Sequence, residues 1–468
     1  MSRRAVRITA QRWWRWLMTV LAAAVVASAC PAGAAPMPAP APPGIDPALV
    51  PPPLPPRPPE PSQRASVCQR LTLVGGPPRT APAGQRQLGV EAAWQFGRGQ
   101  GQTVAVIGTG VNRHPRLPNL VGGGDYVSDT DGTEDCDGHG TVAAGLIAAQ
   151  SSAHDGFAGI APESAVIAIR QSSLAYEVKD YNHREGPGRM AIGGYGTTAT
   201  LASAIVHAVE MGATVINVTE VACAVAGADL NDGALGAAVK LAYDRNVVVV
   251  VAAGDLSDTG PCSVQNENGR YAVKTVVSPA YFSPYVLAVG ATDPDGGASP
   301  FSLFGPWVSV AAPGRGIVSL DSSPGSNGLV DAIPAENTTR SIDGTSFSSA
   351  YVAGVVALVR SRFPALSARE VMERVVRTAH SPGAGRDDRL GAGLVDPVAA
   401  LTAQLPQRDV HVGAGEGTPV AAPEPSPRQD PWPKRIALIG TLACLGALAI
   451  GYVVGIPYRR DGRKTFDD

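Results

Sequence analysis

Five short apolar runs, rich in β-branched residues, recur along the middle of this 468-residue chain. Each run is continuously apolar rather than alternating, which is typical of strands in a parallel sheet covered on both faces. Segments with helical periodicity lie between several of them. The runs are residues 103–107 (TVAVI), 165–169 (AVIAI), 214–218 (TVINV), 247–252 (VVVVVA) and 285–289 (YVLAV). This alternation predicts an α/β fold with a doubly wound, mostly parallel sheet and helices on both faces.

The helical segments carry start and stop signals. The longer helices are predicted over residues 198–211, 235–245 and 346–362. Pro364 stops the last of these. Ser367, followed by Glu370 at the third helical position, forms a capping box, so a further helix is predicted to begin there. Residues 171–196 are polar and glycine-rich, and we expect a surface loop without regular structure.

Both ends of the chain carry signals for export and anchoring. A basic start, a short apolar run and the exit Ala32-Gly33-Ala34 predict a signal peptide over residues 1–35. A permanent N-terminal anchor is the alternative, but the apolar run is short for a membrane span. Residues 436–456 are uncharged and long enough to cross a bilayer. The heavier basic flank follows them, which predicts a cytoplasmic tail (residues 457–468) and a single-pass protein of the cytoplasmic membrane whose body lies on the extracytoplasmic, periplasmic side.

Proline-rich segments flank the body. Residues 36–62 are rich in proline and alanine, and we expect them to be extended. Residues 404–434 have the composition of a stiff linker between the body and the predicted transmembrane helix. The sequence therefore predicts one folded body between two extended segments.

Charge and cysteine content limit the partners and cofactors. A net charge of −2 gives no basic field for nucleic acid. Outside the predicted signal peptide and membrane span the cysteines are Cys68, Cys136, Cys223 and Cys262, an even number that predicts two disulfides in an oxidising compartment. All three pairings remain open. A zinc site is the alternative, but the chain lacks the CxxC or HxxxH spacing that would support it. No metal or cofactor is predicted.

The motif Gly344-Thr-Ser346-Phe-Ser-Ser-Ala350 opens a predicted helix. A serine at a helix N-terminus is most often a capping residue. Small residues on both sides, however, leave the Ser346 hydroxyl accessible, and the positive end of the helix dipole favours a nucleophile there. Ser346 is the candidate nucleophile.

The motif Asp137-Gly-His139-Gly-Thr also opens a helical stretch. A single histidine is more often a cap or a satisfied surface residue than a catalytic base. A serine nucleophile, however, requires a histidine to accept its proton, and the flanking glycines leave His139 open to approach. His139 is the candidate general base.

Two predicted strands run into further candidate residues. The strand 247–252 is followed by Asp255, at the sheet edge where α/β proteins bind ligands, and this position suits an oxyanion donor. A polar turn residue is the alternative. The strand 103–107 is followed by Gly108-Thr-Gly110. A dinucleotide-binding loop is rejected because its third glycine would fall on Arg113.

Taken in order, these motifs resemble the subtilisin family, whose triad runs Asp, His, Ser along the chain. The match covers about residues 89–403 and implies a subtilisin-like peptidase domain there, with residues 36–88 wrapped on it as an extension. More narrowly, the chain resembles the mycosins, the membrane-anchored subtilases of mycobacterial type VII secretion systems. The segments that carry this resemblance are Pro42–Pro47, Ala93–Gly97, Arg116–Pro118, Gly123–Tyr126, Ile169–Ser173, Gly305–Val308 and Val395–Leu401.

The resemblance assigns roles and exposes a departure. It implies that His139 is the general base and Ser346 the nucleophile. The family's I-D-T-G reads Ile-Gly108-Thr-Gly here, so the acid that orients the histidine is missing. Loss of that carboxylate typically lowers kcat by about 10⁴-fold. Other aspartates occur nearby in the sequence, at Asp125, Asp135 and Asp137.

The resemblance also concerns the oxyanion position and the disulfides. Asp255 replaces the usual asparagine, and only a protonated carboxyl group can donate a hydrogen bond to an oxyanion. Burial would raise its pKa towards that state. The resemblance further implies the disulfides Cys68–Cys136 and Cys223–Cys262, the first of which would clamp the extension on the body.

Two functions follow from the resemblance. The first is a serine endopeptidase of a type VII secretion system that acts on protein substrates, with activity impaired by Gly108. The second is a catalytically inactive pseudoprotease that stabilises the secretion membrane complex. Restoring the acid with Gly108→Asp is expected to raise reactivity by orders of magnitude.

Overall fold

The structure is a computed structural model that describes residues 44–179, 190, 194–267, 273–336, 338–383, 385–405, 439–451 and 453. The chain divides after Gln404 into two units, and each is described by itself. The predicted signal peptide and cytoplasmic tail lie outside the described residues, and so does the predicted linker from residue 406 onward.

Strands and helices alternate through the first unit. The strands are β1 (Ser62–Arg64), β2 (Thr103–Gly108), β3 (Leu120–Asp125), β4 (Ala165–Arg170), β5 (Tyr176–Val178), β6 (Val215–Val218), β7 (Ala222–Val225), β8 (Val248–Ala252), β9 (Thr275–Ser278), β10 (Val286–Thr292), β11 (Val308–Pro313), β12 (Ser319–Leu320), β13 (Leu329–Val330), β14 (Ala332–Ala335) and β15 (Thr338–Ser341). The α-helices are α1 (Ala83–Gln87), α2 (Val90–Ala93), α3 (His139–Ala148), α4 (Thr198–Glu210), α5 (Gly233–Asp244), α6 (Thr345–Arg362), α7 (Ala368–Thr378) and α8 (Pro397–Thr402).

A seven-stranded parallel sheet forms the centre of this unit, in the order β11-β10-β8-β6-β2-β4-β3. The chain enters at β2, adds β3 and β4 on one side and then returns to add β6 on the other. This reversal makes the sheet doubly wound, and it places the switch point between β2 and β6. Ile107 pairs with Val218 at the ends of these two strands. Residues that follow β2 and β6 therefore emerge side by side at the edge where α/β proteins place their sites.

Both faces of the sheet are buried. Alternate side chains of β2 belong to different cores: Val104 and Val106 pack with α3 and α6, whereas Ala105 and Ile107 pack with α4 and α5. The same division holds along β6 and β8. The continuous apolar runs follow from this arrangement, because each strand has no face left for water.

The five apolar runs correspond to β2, β4, β6, β8 and β10, and the predicted helices to α4, α5 and α6. The capping box that begins α7 is present: Ser367 accepts from the Glu370 N–H, and the Glu370 side chain accepts from the Ser367 N–H. Strands β3 and β11, at the two edges of the sheet, were not predicted. The sequence of β3 is LVGGGD and that of β11 is VSVAAP, and neither is a β-branched apolar run.

The segment before β2 lies against the rest of the unit. β1 pairs antiparallel with β5, and Thr72 forms a bridge with Ala332. Cys68 is bonded to Cys136. The strand β5 corrects the prediction of a loop without regular structure over residues 171–196, since its partner is supplied from more than a hundred residues earlier in the chain. Pairing over that separation leaves no local periodicity to read.

The second unit is described at Leu405 and at residues 439–451 and 453, and residues 439–451 are helical. These residues fall within the predicted membrane span 436–456. In the described parts of the chain, no helix is both long enough and apolar enough to cross a membrane.

Candidate active site

Ser346 is the second residue of α6 and is 5% exposed. The helix is entered through Gly344, where a side chain would not fit easily. A Cβ at Gly344 would lie 3.1 Å from Asp255 Oδ2 and 3.2 Å from Ser346 Oγ. The glycine thus keeps the space around the hydroxyl open. At this position the serine sits among the N–H groups that have no partner within the helix.

His139 is the first residue of α3, and Gly138 before it has the left-handed conformation (φ 78°). The buried carboxylate of Asp135 organises this helix start. It accepts hydrogen bonds from the Gly138 N–H at 2.8 Å and from the N–H and hydroxyl of Thr141 at 2.8 Å and 2.6 Å. The Thr109 hydroxyl donates to it at 2.9 Å. Asp135 therefore fixes the backbone from which the imidazole projects.

The two candidate residues meet. His139 Nε2 lies 2.7 Å from Ser346 Oγ, although 207 residues separate them along the chain. The imidazole packs against the Phe347 ring, with the ring centroids 4.9 Å apart. About a quarter of the His139 side chain (26%) is exposed. The arrangement can transfer a proton from the hydroxyl to the imidazole and so activate the serine as a nucleophile.

Gly108 ends β2, and its missing side chain leaves no void. A Cβ on Gly108 would lie 2.1 Å from Thr219 Oγ1. That hydroxyl donates to the Ile107 carbonyl at 3.2 Å. The position is therefore occupied by a threonine from the end of the neighbouring strand, β6.

A glutamate that the motifs did not reveal contacts the imidazole. Glu220 lies two residues beyond β6, and its Oε1 is 3.0 Å from His139 Nδ1. Only 3% of the Glu220 side chain is exposed. The contact lacks the angle of a hydrogen bond, and Nδ1 has no hydrogen-bond partner among the described residues. The signal in the sequence was an acid two residues after the apolar run 214–218, at the same sheet edge as Gly108.

The aspartates near the motifs are engaged elsewhere. Asp125 accepts from the Val127 and Ser128 N–H groups and lies 3.4 Å from Arg170 Nη1. Asp137 accepts from Ser173 Oγ at 2.6 Å and from the Leu174 and Ala175 N–H groups at 3.0 Å and 3.2 Å. Asp135 holds the start of α3. No contact joins any of these three carboxylates to His139 Nδ1 in the described residues.

The charges around His139 favour its protonated form. Burial lowers the pKa of the imidazole, but the carboxylates of Glu220, Asp135 and Asp255 outweigh that effect, and the pKa of His139 is raised above its usual 6.5. The largest of the favourable contributions comes from Glu220. His139 thus becomes a stronger base that needs a higher pH to lose its proton.

Asp255 follows β8 and faces the start of α6. Its carboxylate accepts from the Thr345 N–H, with Oδ1 at 2.9 Å and Oδ2 at 3.3 Å. Burial raises the pKa of Asp255 to about 6, although the bonds from Thr345 and the charge of His139 oppose the rise. Near neutral pH the group is therefore mostly ionised and serves as an acceptor, whereas an oxyanion donor requires its protonated form.

Two disulfides are present, Cys68–Cys136 and Cys223–Cys262, with Cα atoms 4.5 Å and 5.4 Å apart. The first joins the N-terminal segment to the loop that leads to His139. The second joins β7, which follows Glu220, to the loop after Asp255. The described residues contain no group of three or more His, Cys, Asp or Glu side chains that could hold a metal ion.

Comparison with known proteins places this geometry in a family. Residues 99–393 match the Subtilase family (Peptidase_S8). Mycosin-4 of Mycobacterium tuberculosis is 40% identical over 416 residues, which cover 87% of this chain and 89% of that protein. The solved structure of the MycP3 protease from the type VII (ESX-3) secretion system is similar with 42% identity and a TM-score of 0.69, over 78% of this chain and 100% of that one.

A chain in the structure of an intact ESX-5 inner membrane complex is also similar, with 40% identity and a TM-score of 0.72 over 90% of this chain and 100% of that one. These similarities extend over most of the chain, and the family match over residues 99–393 spans the positions of His139, Glu220 and Ser346. The chain belongs to the subtilase family of serine proteases and, within it, to the mycosins.

Proposed function

We propose that this chain is an active serine endopeptidase of a type VII secretion system. The observation that carries the proposal is the 2.7 Å contact between Ser346 Oγ and His139 Nε2, formed by two residues at the starts of separate buried helices. Such a contact costs conformational freedom at both side chains, and it provides the proton acceptor that a serine nucleophile needs.

The site supports acyl transfer in two steps. The Ser346 oxygen attacks the carbonyl carbon of a peptide bond while its proton passes to His139 Nε2. The imidazolium then gives that proton to the leaving amine, and water releases the acyl group by the reverse sequence. N–H groups at the start of α6 and the protonated form of Asp255 are the donors for the oxyanion. Because that form is in the minority near neutral pH, we expect slow turnover.

The partners are inferred from the relatives. The MycP3 protease belongs to the type VII (ESX-3) secretion system, and another similar chain is part of an ESX-5 inner membrane complex. We infer that this chain also joins a type VII membrane complex and that its substrates are proteins that reach the outer side of the membrane. The two disulfides support an oxidising location for the body.

The proposed topology rests on the sequence. A signal peptide (residues 1–35) would direct export, and the span 436–456 would anchor the peptidase domain (residues 89–403) on the periplasmic side of the cytoplasmic membrane. The extension (residues 36–88) would remain on the domain, and the segment 404–434 would separate the domain from the membrane.

One observation favours a second function. Gly108 stands where subtilases carry the acid of the triad, so the chain is also a candidate pseudoprotease whose folded body stabilises the secretion complex. In that case Ser346 would not react with substrates, and replacing it would leave secretion unchanged.

A fluorophosphonate probe tests the choice, because it reacts covalently with activated serines. The full chain, purified in detergent, is expected to be labelled, and Ser346→Ala is expected to lose the label. Ser361→Ala is the matched control, since Ser361 lies near the other end of α6 and donates to the Gln100 carbonyl. Labelling that survives Ser346→Ala, or no labelling from acidic to alkaline pH, would reject the enzyme and leave the pseudoprotease.

A further inference from the structure

We propose that Glu220 is the residue that orients His139 in this chain, in place of the aspartate that is absent at position 108. The proposal rests on the proposed peptidase function and adds the acid that completes its site. Glu220 is a positioning residue, because it acts on the imidazole and not on the substrate.

The first observation is the line of contacts through the imidazole. Nε2 is 2.7 Å from the Ser346 hydroxyl, and Nδ1, on the other side of the ring, is 3.0 Å from Glu220 Oε1. An acid on Nδ1 keeps the proton on that nitrogen and leaves Nε2 free to accept from the serine. The angle at Nδ1 falls short of a hydrogen bond. Catalytic hydrogen bonds are often poorly aligned without substrate and tighten when it binds.

The second observation is the burial of the carboxylate. Glu220 is 3% exposed at its side chain, and a buried carboxylate is costly unless a cation or hydrogen bonds compensate for it. Protonated His139 is the cation in contact with it. The same burial strengthens the stabilisation that Glu220 gives to the imidazolium formed during the reaction.

The third observation is that the residues after β6 fill the space that Gly108 leaves at the end of β2 and also supply an acid. Strands β2 and β6 are neighbours, and each ends beside the other. The space for a side chain on Gly108 is filled by Thr219 Oγ1, and the next residue, Glu220, carries the acid to His139. The acid in contact with His139 thus follows the end of β6 and does not stand at the end of β2.

The remaining acids near the site are already committed. Asp135 is bonded to the start of α3, and Asp255 accepts from the Thr345 N–H. Both raise the pKa of His139 through charge alone, after Glu220. Glu220 is the carboxylate in direct contact with Nδ1 among the described residues.

The activity test compares acids of different shape at position 220. Glu220→Gln is expected to lower the rate of fluorophosphonate labelling by about 10³- to 10⁴-fold, as loss of a triad acid does. Glu220→Asp should retain part of the rate. Asp232→Asn is the matched control, because Asp232 is a buried acid (4% exposed) that accepts from the Tyr281 hydroxyl. Labelling of Glu220→Gln at the rate of the unchanged chain would overturn the proposal.

A second experiment tests whether an aspartate at position 108 can replace Glu220 as the acid beside His139. Thr219→Ala removes the oxygen that lies 2.1 Å from the Cβ position of residue 108 and leaves the Thr219 Cβ at an ordinary 3.5 Å. Gly108→Asp together with Thr219→Ala should restore at least a hundredfold in labelling to Glu220→Gln, and Thr219→Ala alone should restore none. A combination that gives no recovery, while the folded fraction matches the unchanged chain by circular dichroism, counts against the proposal.

A readout without activity separates the two proposals. The chain has 7 histidines, so labelling their ring carbons resolves His139 by nuclear magnetic resonance. Glu220→Gln should lower the pKa of His139, although the charges of Asp135 and Asp255 would continue to raise it. If the unchanged chain is never labelled, the peptidase function fails and this titration alone decides the role of Glu220: a fall supports it, and an unchanged pKa overturns it.

Discussion

Asp255→Asn is expected to speed the labelling of Ser346 by a fluorophosphonate near neutral pH. Asp255 faces the start of α6, and Oδ1 accepts from the Thr345 N–H at 2.9 Å. Asparagine keeps an oxygen for that bond and adds an NH₂ group that donates at every pH. In the unchanged chain only the protonated carboxyl group can donate to the oxyanion, so the gain depends on how much of that form exists.

The size of the gain follows from the pKa of Asp255, which burial raises to about 6. At about pH 7 roughly one molecule in eleven carries the proton, and at about pH 8 roughly one in a hundred. If acid and amide are equal donors, the substitution raises the rate about tenfold at pH 7 and about a hundredfold at pH 8. The larger value is within the 10²- to 10³-fold that one oxyanion donor contributes.

The shape of the pH profile should change as well. His139 must be neutral to accept the proton, and its pKa is raised, so reactivity rises with pH through that value. In the unchanged chain the ionisation of Asp255 opposes this rise, so the rate of labelling passes through a maximum and then falls at alkaline pH. The pKa of Asp255 lies below that of His139, so the reactive combination is a minority at every pH. Asp255→Asn should abolish the alkaline fall.

The assay is the second-order rate constant for fluorophosphonate labelling of the full chain across this pH range. Asp232→Asn is again the control, and its ratio to the unchanged chain should stay near one. A ratio for Asp255→Asn that does not grow with pH would refute the assignment of Asp255 to the oxyanion site. A slower variant at alkaline pH would show that the ionised carboxylate is the useful form.

Three other substitutions have outcomes that the contacts define. Gly108→Asp alone should lower the free energy of unfolding by about 1–3 kcal/mol in denaturant titrations, because its Cβ would meet Thr219 Oγ1. A gain in fluorophosphonate labelling by orders of magnitude, which the sequence alone suggests, would contradict this packing. Replacing Cys68 and Cys136 by serine removes a disulfide with a sequence separation of 68 and should lower the free energy of unfolding by about 4 kcal/mol in the same titrations. Cys444→Ser is the control and should leave that free energy unchanged, because Cys444 is a free cysteine. Asp135→Ala leaves the Gly138 and Thr141 N–H groups without their acceptor and should lower the free energy of unfolding by about 2–3 kcal/mol. An unchanged free energy of unfolding would mean that other contacts hold the start of α3.

The sequence predicts those parts of the fold in which burial produces a local pattern of apolar residues. Strands β2, β4, β6, β8 and β10 are visible because both of their faces are covered. Strand β3 was missed because three glycines interrupt it, and β5 because its partner, β1, lies in the distant N-terminal segment. A sequence pattern reports what a strand buries, and it does not report which strand it pairs with.

The same limit applies to the site. Ser346 and His139 could be predicted because each opens a helix in a run of small residues. Glu220 could not, because its role depends on the pairing of β2 with β6 and on the side chain that Gly108 lacks. Asp125, Asp135 and Asp137 lie closer to the motifs along the chain, but their carboxylates are engaged elsewhere in space.

The most direct test of the account is to locate the fluorophosphonate adduct by peptide mass spectrometry and to measure how fast it forms. We expect the adduct on the peptide that contains Ser346, no adduct in His139→Ala, and formation that is slower by about 10³-fold or more in Glu220→Gln. An adduct on another serine, or one that forms on Ser346 at the same rate with and without Glu220, would contradict a catalytic site built from Ser346, His139 and Glu220.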